Sequence, residues 1–438
     1  MPPAPPVEAK SPLPASSSPP PLPQSLMEVG LPEIFLANLT LKHCFYLDVF
    51  YLADLAERLK LPPSVLTQLL EYLRREKNVE IRGADPGRPL MSSVNLSHRH
   101  ALTDTGKRRA AQLLEYDAYA GPAPVPLADY RRQVESQSIR GAQVTLEKLR
   151  EAFQGLVIAP EMLAQLGPAL MSGKPLFLYG PPGNGKTTIA LRLGKIWDDF
   201  ILVPYAIFVE GSVIRVFDEI SHEGREEEPG GAGEGGDRRW VRCRRPQVLV
   251  GGELTLEALD LAFNPTLKFY EAPLQLKANN GMFIVDDFGR QQITPQELLN
   301  RWIFPLENGQ DFLRLHTGQK FAIPFDQFIV FATNLEPSTL VDDAFLRRIR
   351  AKVKVSHVGR EEYLEIFRLV CRQYGLEFDQ GAVEYLLAEH YEKTGRALST
   401  CQPRDLVEQI VDYCRFHKLA PVLSRENLDR ACRSYFVE

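Results

Sequence analysis

Eight consecutive residues, Gly180-Pro181-Pro182-Gly183-Asn184-Gly185-Lys186-Thr187, carry the clearest chemistry in the chain. Their pattern, G-x-x-x-x-G-K-T, suits a loop wrapped around phosphate. The glycines let backbone N–H groups turn inward, and a helix starting at the loop adds the positive end of its dipole. Lys186 would reach the β- and γ-phosphates of a nucleotide, and Thr187 would hold Mg²⁺ through its hydroxyl. The pattern needs a strand before it and a helix after it. Leu176-Phe177-Leu178-Tyr179 reads as that strand and Thr188 to Trp197 as that helix, so the expected nucleotide contacts run from Gly180 through Thr188.

Two more apolar runs end in polar residues. Gly281 to Val285 leads into Asp286-Asp287, and Phe328 to Thr333 leads into Asn334. Asp286 is expected to orient the water shell of Mg²⁺, Asp287 to polarise an attacking water, and Asn334 to bond that water or the γ-phosphate. The alternative for each is a strand exit that merely uses a turn-forming residue. Phosphoryl transfer also needs positive charge, and Ala344-Phe345-Leu346-Arg347-Arg348-Ile349-Arg350 supplies a cluster of it. Arg348, or Arg347, is the candidate for acting on a neighbouring subunit's nucleotide; a solvated basic helix end is the plainer reading.

The elements that position these residues fall into five spans. Residues 1–25 are mostly Pro, Ser and Ala and read as a disordered tail. Residues 26–118 read as three helices, a hairpin and a closing helix, with Val65, Leu66, Leu69, Leu70 and Leu73 on one face of the third helix. The hairpin's second run is expected near Val94-Asn95-Leu96. Residues 119–143, opened by Gly121-Pro122-Ala123-Pro124-Val125-Pro126, read as a stiff linker. Residues 144–355 form the α/β catalytic unit, with a Gly- and Glu-rich insert at 223–237, and residues 356–438 read as helices only. The run Arg238 to Arg245 follows the acidic insert and reads as a charge-balanced surface strand.

Composition bounds the rest. At 438 residues, 44% hydrophobic and 24% charged, the chain has the balance of a multidomain globular protein. A net charge of -5 gives no global basic field for nucleic acid. Six cysteines without CxxC spacing fit a reducing cytosol, no apolar run is long enough to span a bilayer, and a cytoplasmic location is expected. The eight histidines form no ligand-like spacing, so Mg²⁺ held with nucleotide is the only metal expected.

Taken together, the motifs resemble those of AAA+ ATPases: Walker A, Walker B, sensor one and arginine finger stand in the family's order. The resemblance implies an α/β P-loop NTPase fold with a helical lid, ATP and Mg²⁺ as ligands, and a homo-oligomeric, hexamer-like ring. It also implies a sensor-two role for Arg404, in Cys401-Gln402-Pro403-Arg404-Asp405-Leu406, reaching the nucleotide from the lid; a helix-start salt bridge is its alternative. Between Asp287 and Asn334, Leu298 to Gly309 followed by Phe312-Leu313-Arg314-Leu315 and Lys320-Phe321-Ala322-Ile323 is similar to the helix and hairpin of the pre-sensor-one insertion in MoxR-type ATPases. The Gly-Ala-Phe-Thr-Gly-Ala loop of sigma-factor activators is absent. Residues 26–118 resemble a small α+β winged helix-turn-helix, and the whole chain looks like a bacterial group of AAA ATPases with a winged-helix front and a chaperone-like description. One departure stands out: Asp287 occupies the position where most of the family uses Glu. The expected function is ATP hydrolysis coupled to remodelling a protein partner. The alternative is a DNA-associated loader, initiator or regulator that binds DNA through the winged helix, for which Ser64, Thr67, Gln68, Arg74 and Arg75 would form the reading face.

Overall fold

In the computed structural model, the described residues are 19–84, 98–141, 144–224, 236–340 and 346–436. The expected hairpin run at Val94-Asn95-Leu96, most of the Gly/Glu-rich insert, and Ala344-Phe345 lie outside them.

The centre is a five-stranded, wholly parallel sheet in the order Gln247–Val250, Met282–Val285, Phe328–Thr333, Leu176–Tyr179, Ala351–Lys354. Strands covered on both faces read as continuous apolar runs, and their side chains alternate between two cores. Leu176, Leu178, Met282, Ile284, Phe328, Val330 and Ala332 pack on one side with Ile189, Ala190 and Leu193 of the helix Lys186–Leu193. Phe177, Phe283, Val285, Ile329 and Phe331 pack on the other with Leu298, Leu299 and Trp302 of the helix Pro295–Asn308. That helix starts with a capping box between Thr294 and Glu297, and Gly309, at φ 69°, ends it. The hairpin Gln310–Arg314/Lys320–Pro324 follows.

A second, mixed sheet draws four of its five strands from between the helix Lys186–Leu193 and the Asp286 strand. Its order is Ala262–Phe263, Tyr270–Glu271, Ser212–Arg215, Ala206–Val209, Val125–Pro126. The ribbon Phe200–Pro204/Trp240–Arg244 pairs beside it, and one apolar cluster joins both to Leu313, Leu315, Phe321 and Ile323 of the hairpin. Val125–Pro126 comes from the span read as linker and pairs with Ile207 and Phe208. The helix Leu127–Ser136 follows, burying Tyr130, Gln133 and Val134. This span is therefore built into the body rather than strung between domains. Leu127, Tyr130 and Val134, at i, i+3 and i+7, are the periodic signal in this short, otherwise polar stretch.

The front region has helices Glu33–Phe45, Leu52–Leu59, Pro63–Arg75 and Asp104–Tyr116, and a three-stranded antiparallel sheet in the order Val49–Phe50, His98–Leu102, Val79–Ala84. Val65, Leu66, Leu69, Leu70 and Leu73 are all buried. Thr103 caps the last helix by accepting from the Gly106 N–H at 3.0 Å. Gly106 is required there, because a Cβ would meet the Asn78 carbonyl oxygen at 2.0 Å.

The front and the inserted sheet share one core. Ala206, Val213 and Phe269 belong to the apolar cluster of the front helices. The Phe35 and Phe208 rings lie 4.4 Å apart, and those of Tyr119 and Phe269 lie 5.5 Å apart. Arg239, only 2% exposed, bonds Asp237 with several hydrogen bonds and donates to the Val29 and Pro124 carbonyls at 3.1 Å each. One guanidinium thus ties the front, the former linker and the inserted region together. The surface-strand reading of Arg238–Arg245 holds only for Arg242 and Arg244, which are exposed over the Phe200 ring; Arg239, Trp240 and Cys243 are buried. Nor does the tail run free to residue 25: Pro21 bridges Gly236, and the Asp237 N–H donates to the Pro20 carbonyl at 2.8 Å.

Residues 360–435 form a helical bundle with its own core, built on Arg360–Tyr374, Gln380–Leu386 with a π-type continuation to Glu392, Gln402–Phe416 and Arg425–Tyr435. No helix among the described residues is long and apolar enough to cross a membrane.

Candidate nucleotide site

Three strands of the parallel sheet end at the same edge and deliver the sequence-predicted residues there. Gly180 leaves the strand Leu176–Tyr179 at φ 140°, and Gly183 and Gly185 follow at φ 75° and 79°, backbone conformations that side chains resist. At Gly180 a Cβ would also strike the Val355 carbonyl oxygen at 2.2 Å. The loop is thus wound as a phosphate cradle requires, with Lys186 opening the helix that follows.

Lys186 is 7% exposed, and its ammonium donates to the carbonyls of Gly180 and Pro181 at 2.9 and 2.8 Å. Burial lowers its pKa, and the charges of Asp287 and Asp286 oppose that shift. The Thr187 hydroxyl donates to Asp286 Oδ2 at 2.8 Å, so the two candidate metal-holding residues already touch. Asn334 donates to Asp287 Oδ1 at 3.2 Å, which brings the candidate water-activating carboxylate and its sensing partner together. The donor set fits a Mg–nucleotide group: hard oxygen donors, one ammonium and a loop wound through three glycines at positive φ.

Asp287 sits at φ 47°, in the left-handed region. The turn it begins is stitched to the neighbouring strand. The Phe288 N–H donates to the Ala332 carbonyl at 2.7 Å, and the Thr333 hydroxyl donates to the Phe288 carbonyl at 2.7 Å. Gln291 adds a donation to the Asp286 carbonyl at 2.8 Å. Sequence reasoning passed over Gln291, and its place five residues beyond the carboxylate is too ordinary to have signalled it.

Beside the loop lies a cavity of about 270 Å³ lined by Leu156, Val157, Ile158, Gly183, Asn184, Gly185 and Thr188 and, from the helical bundle, by Ile366, Val370 and Arg404. Its lining is apolar on one flank and meets the loop on the other, which suits a nucleoside. Arg404 is brought to this cavity. Arg347 and Arg348 are not among the described residues lining it: Arg347 is exposed, and Arg348 donates to Glu307 at 2.5 Å at the end of the helix Pro295–Asn308. A larger cavity of about 580 Å³, between Arg131, Arg140 and the base of the hairpin, contains none of the predicted site residues.

Residues 359–434, within the helical bundle, match a domain of unknown function, DUF8689. A stretch of 101 residues is 33% identical to the proteasome-activating nucleotidase of Archaeoglobus fulgidus, covering 22% of this chain and 25% of that protein. Another, of 139 residues, is 24% identical to the proteasome-activating nucleotidase of Methanocella arvoryzae, covering 31% and 33%. The chain thus spans only a quarter to a third of the length of these curated relatives. Among solved structures, NtrX from Brucella abortus aligns with 71% of this chain and 58% of its own at 15% identity and a TM-score of 0.39. The RuvB Holliday junction branch migration motor of Thermotoga maritima aligns with 67% and 71% at 13% identity and a TM-score of 0.36.

Proposed function

We propose that this chain is an AAA+ ATPase that forms a homo-oligomeric, hexamer-like ring in the cytoplasm and couples Mg-dependent ATP hydrolysis to remodelling a protein partner. The observation that carries the reading is the meeting of Lys186, the Thr187–Asp286 pair and the Asp287–Asn334 pair at one sheet edge. Gly180 through Thr188 cradle the phosphates, and Lys186 exchanges its two carbonyl partners for phosphate oxygens. Thr187 and Asp286 would hold Mg²⁺, which neutralises phosphate charge. Asp287 polarises the attacking water, and Asn334 orients it. The helical bundle acts as a lid, with Arg404 reaching the nucleotide from it. Arg348, or the more exposed Arg347, acts on a neighbouring subunit's nucleotide. The helix and hairpin between Asp287 and Asn334 favour the MoxR-like, pre-sensor-one branch.

The front region is read as a winged helix that recruits or positions the partner. DNA binding is a second reading, favoured by one observation: Ser64, Gln68, Arg74 and Arg75 lie exposed on the helix Pro63–Arg75, away from its buried stripe. Steady-state ATP turnover with and without duplex DNA, measured alongside particle mass with and without ATP, separates the two. ATP-dependent assembly with turnover indifferent to DNA supports protein remodelling; strong, salt-sensitive stimulation by DNA moves the assignment to a DNA-associated machine. Lys186→Ala should cut turnover by on the order of a hundredfold or more, and a variant that still hydrolyses ATP at the wild-type rate would remove this site from the reaction. Arg348→Ala should spare nucleotide binding and lower turnover, with partial rescue when mixed with Asp287→Ala subunits.

A further inference from the structure

The outer rim of the phosphate loop is hydrogen-bonded to the helical bundle through one short segment. The Thr400 hydroxyl donates to the Gly183 carbonyl at 3.0 Å, and the Cys401 N–H donates to the same oxygen at 3.0 Å. The Thr400 N–H also donates to Asn184 Oδ1 at 3.4 Å. Asn184 is 3% exposed and shapes its own loop as well, donating to the carbonyls of Pro181 and Pro182 at 3.3 and 3.4 Å. Only glycine permits the approach at 183: the residue lies at φ 75°, and a Cβ there would come within 2.7 Å of Cys401 Sγ. His357, between the last core strand and the first bundle helix, completes the contact, with Nδ1 3.4 Å from Asn184 Nδ2 and 3.3 Å from Ser399 Oγ.

The arrangement follows from the loop's own polarity. The Gly180 and Pro181 carbonyls face Lys186, whereas the Gly183 carbonyl faces the bundle and accepts two donors from it. Thr400 and Cys401 immediately precede the helix Gln402–Phe416, and Arg404 stands one turn further on, lining the cavity. Fixing the start of the helix to the loop therefore fixes the base from which Arg404 extends.

We propose that Thr400 and Asn184 are positioning residues: they latch the start of the lid helix to the phosphate loop and so set the approach of Arg404 to bound nucleotide. This rests on the ATP reading of the site. The latch makes lid placement depend on the shape of the loop itself.

Thr400→Val keeps the shape of the side chain and removes the hydroxyl. In the full-length protein it should raise the KM for ATP roughly fivefold to tenfold, the scale of one hydrogen bond, with kcat within about twofold. Thr400→Ser should restore the wild-type KM. Because the proposed effect runs through Arg404, Thr400→Val should add nothing in an Arg404→Ala background. An unchanged KM, or losses that multiply in the double variant, would overturn the latch.

A nucleotide-independent readout separates the latch from the ATP reading. Cys401 is half-buried, whereas the other five cysteines are buried, so maleimide labelling of the folded chain should report on Cys401, with Cys401→Ser as the blank. Thr400→Val should speed that labelling severalfold without nucleotide, and Thr400→Ser should not. Faster labelling in a chain that does not hydrolyse ATP would keep the latch and discard the ATP reading; labelling indifferent to Thr400→Val would discard the latch.

Discussion

The two sheets of this chain are built on opposite plans. The parallel sheet uses five strands of four to six residues, the three central ones buried almost throughout, and places Lys186, Asp286, Asp287 and Asn334 beyond their ends. The mixed sheet uses strands of two to four residues gathered from stretches as far apart as Val125 and Glu271, and it presents none of the candidate chemistry. Its service is mechanical, since its apolar face and the buried Asp237–Arg239 pair seat the front region against the core. One sheet carries the candidate side chains at its edge, and the other packs the front region in place.

That contrast can be broken most forcefully at two buried side chains. Trp302→Ala, in the parallel core, should cost about 3–5 kcal/mol and take nucleotide binding down with the fold. Arg239→Ala leaves Asp237 as a buried, uncompensated charge and should also cost about 3–5 kcal/mol. Its loss should fall on the front and inserted region, however. Limited proteolysis should release the front while ATP binding survives, and a single transition that abolishes both would show that the two sheets fold as one unit.

Acid should sharpen the same distinction with a smaller effect per group. His43, His100 and His222 are each pushed down to about 4 by burial, and all three lie in the front or inserted region. A histidine whose folded pKa lies below its unfolded value of about 6.5 binds more protons when unfolded, so stability falls as pH drops through that window. By pH 5 each should contribute on the order of 1–2 kcal/mol of loss. Proteolytic release of the front should therefore rise between pH 6.5 and 4.5 in the wild type. His100→Phe should blunt the rise, and a flat profile would refute the assignment. The smallest effect is local: Thr103→Ala removes the cap on the helix Asp104–Tyr116 and should cost about 1 kcal/mol, read as a small shift in a denaturant midpoint with no change in turnover.

Legibility followed the same division. A doubly covered strand announces itself, because Phe328-Ile329-Val330-Phe331-Ala332 has few other places to be stable. The phosphate loop announces itself because its glycines and lysine answer to one geometry. Asp287 and Asn334 were each legible at a strand end, but their hydrogen bond was not, because it depends on those two strands pairing in space. The inserted sheet offered no such signal: two residues such as Ala262–Phe263 make a strand only because Tyr270–Glu271 lies beside them. Arg239 was misread because a charged residue in a basic run looks solvated, and its burial depends on Asp237, Val29 and Pro124 meeting in space. The span 119–143 was misread because its prolines advertise extension, while the helix behind them carries only Leu127, Tyr130 and Val134 as large apolar residues among polar ones.

The left-handed backbone at Asp287 carries a consequence for any attempt to exchange that residue. Aspartate's short polar side chain is among those best tolerated there, and a longer one loses part of that tolerance. Glutamate would also carry its carboxylate one methylene beyond the oxygen that Asn334 now holds. The acid at this corner is thus matched to the curve of the main chain, and since Glu210 takes the same bend at φ 48°, a swap to glutamate would shift the carboxylate more than the backbone.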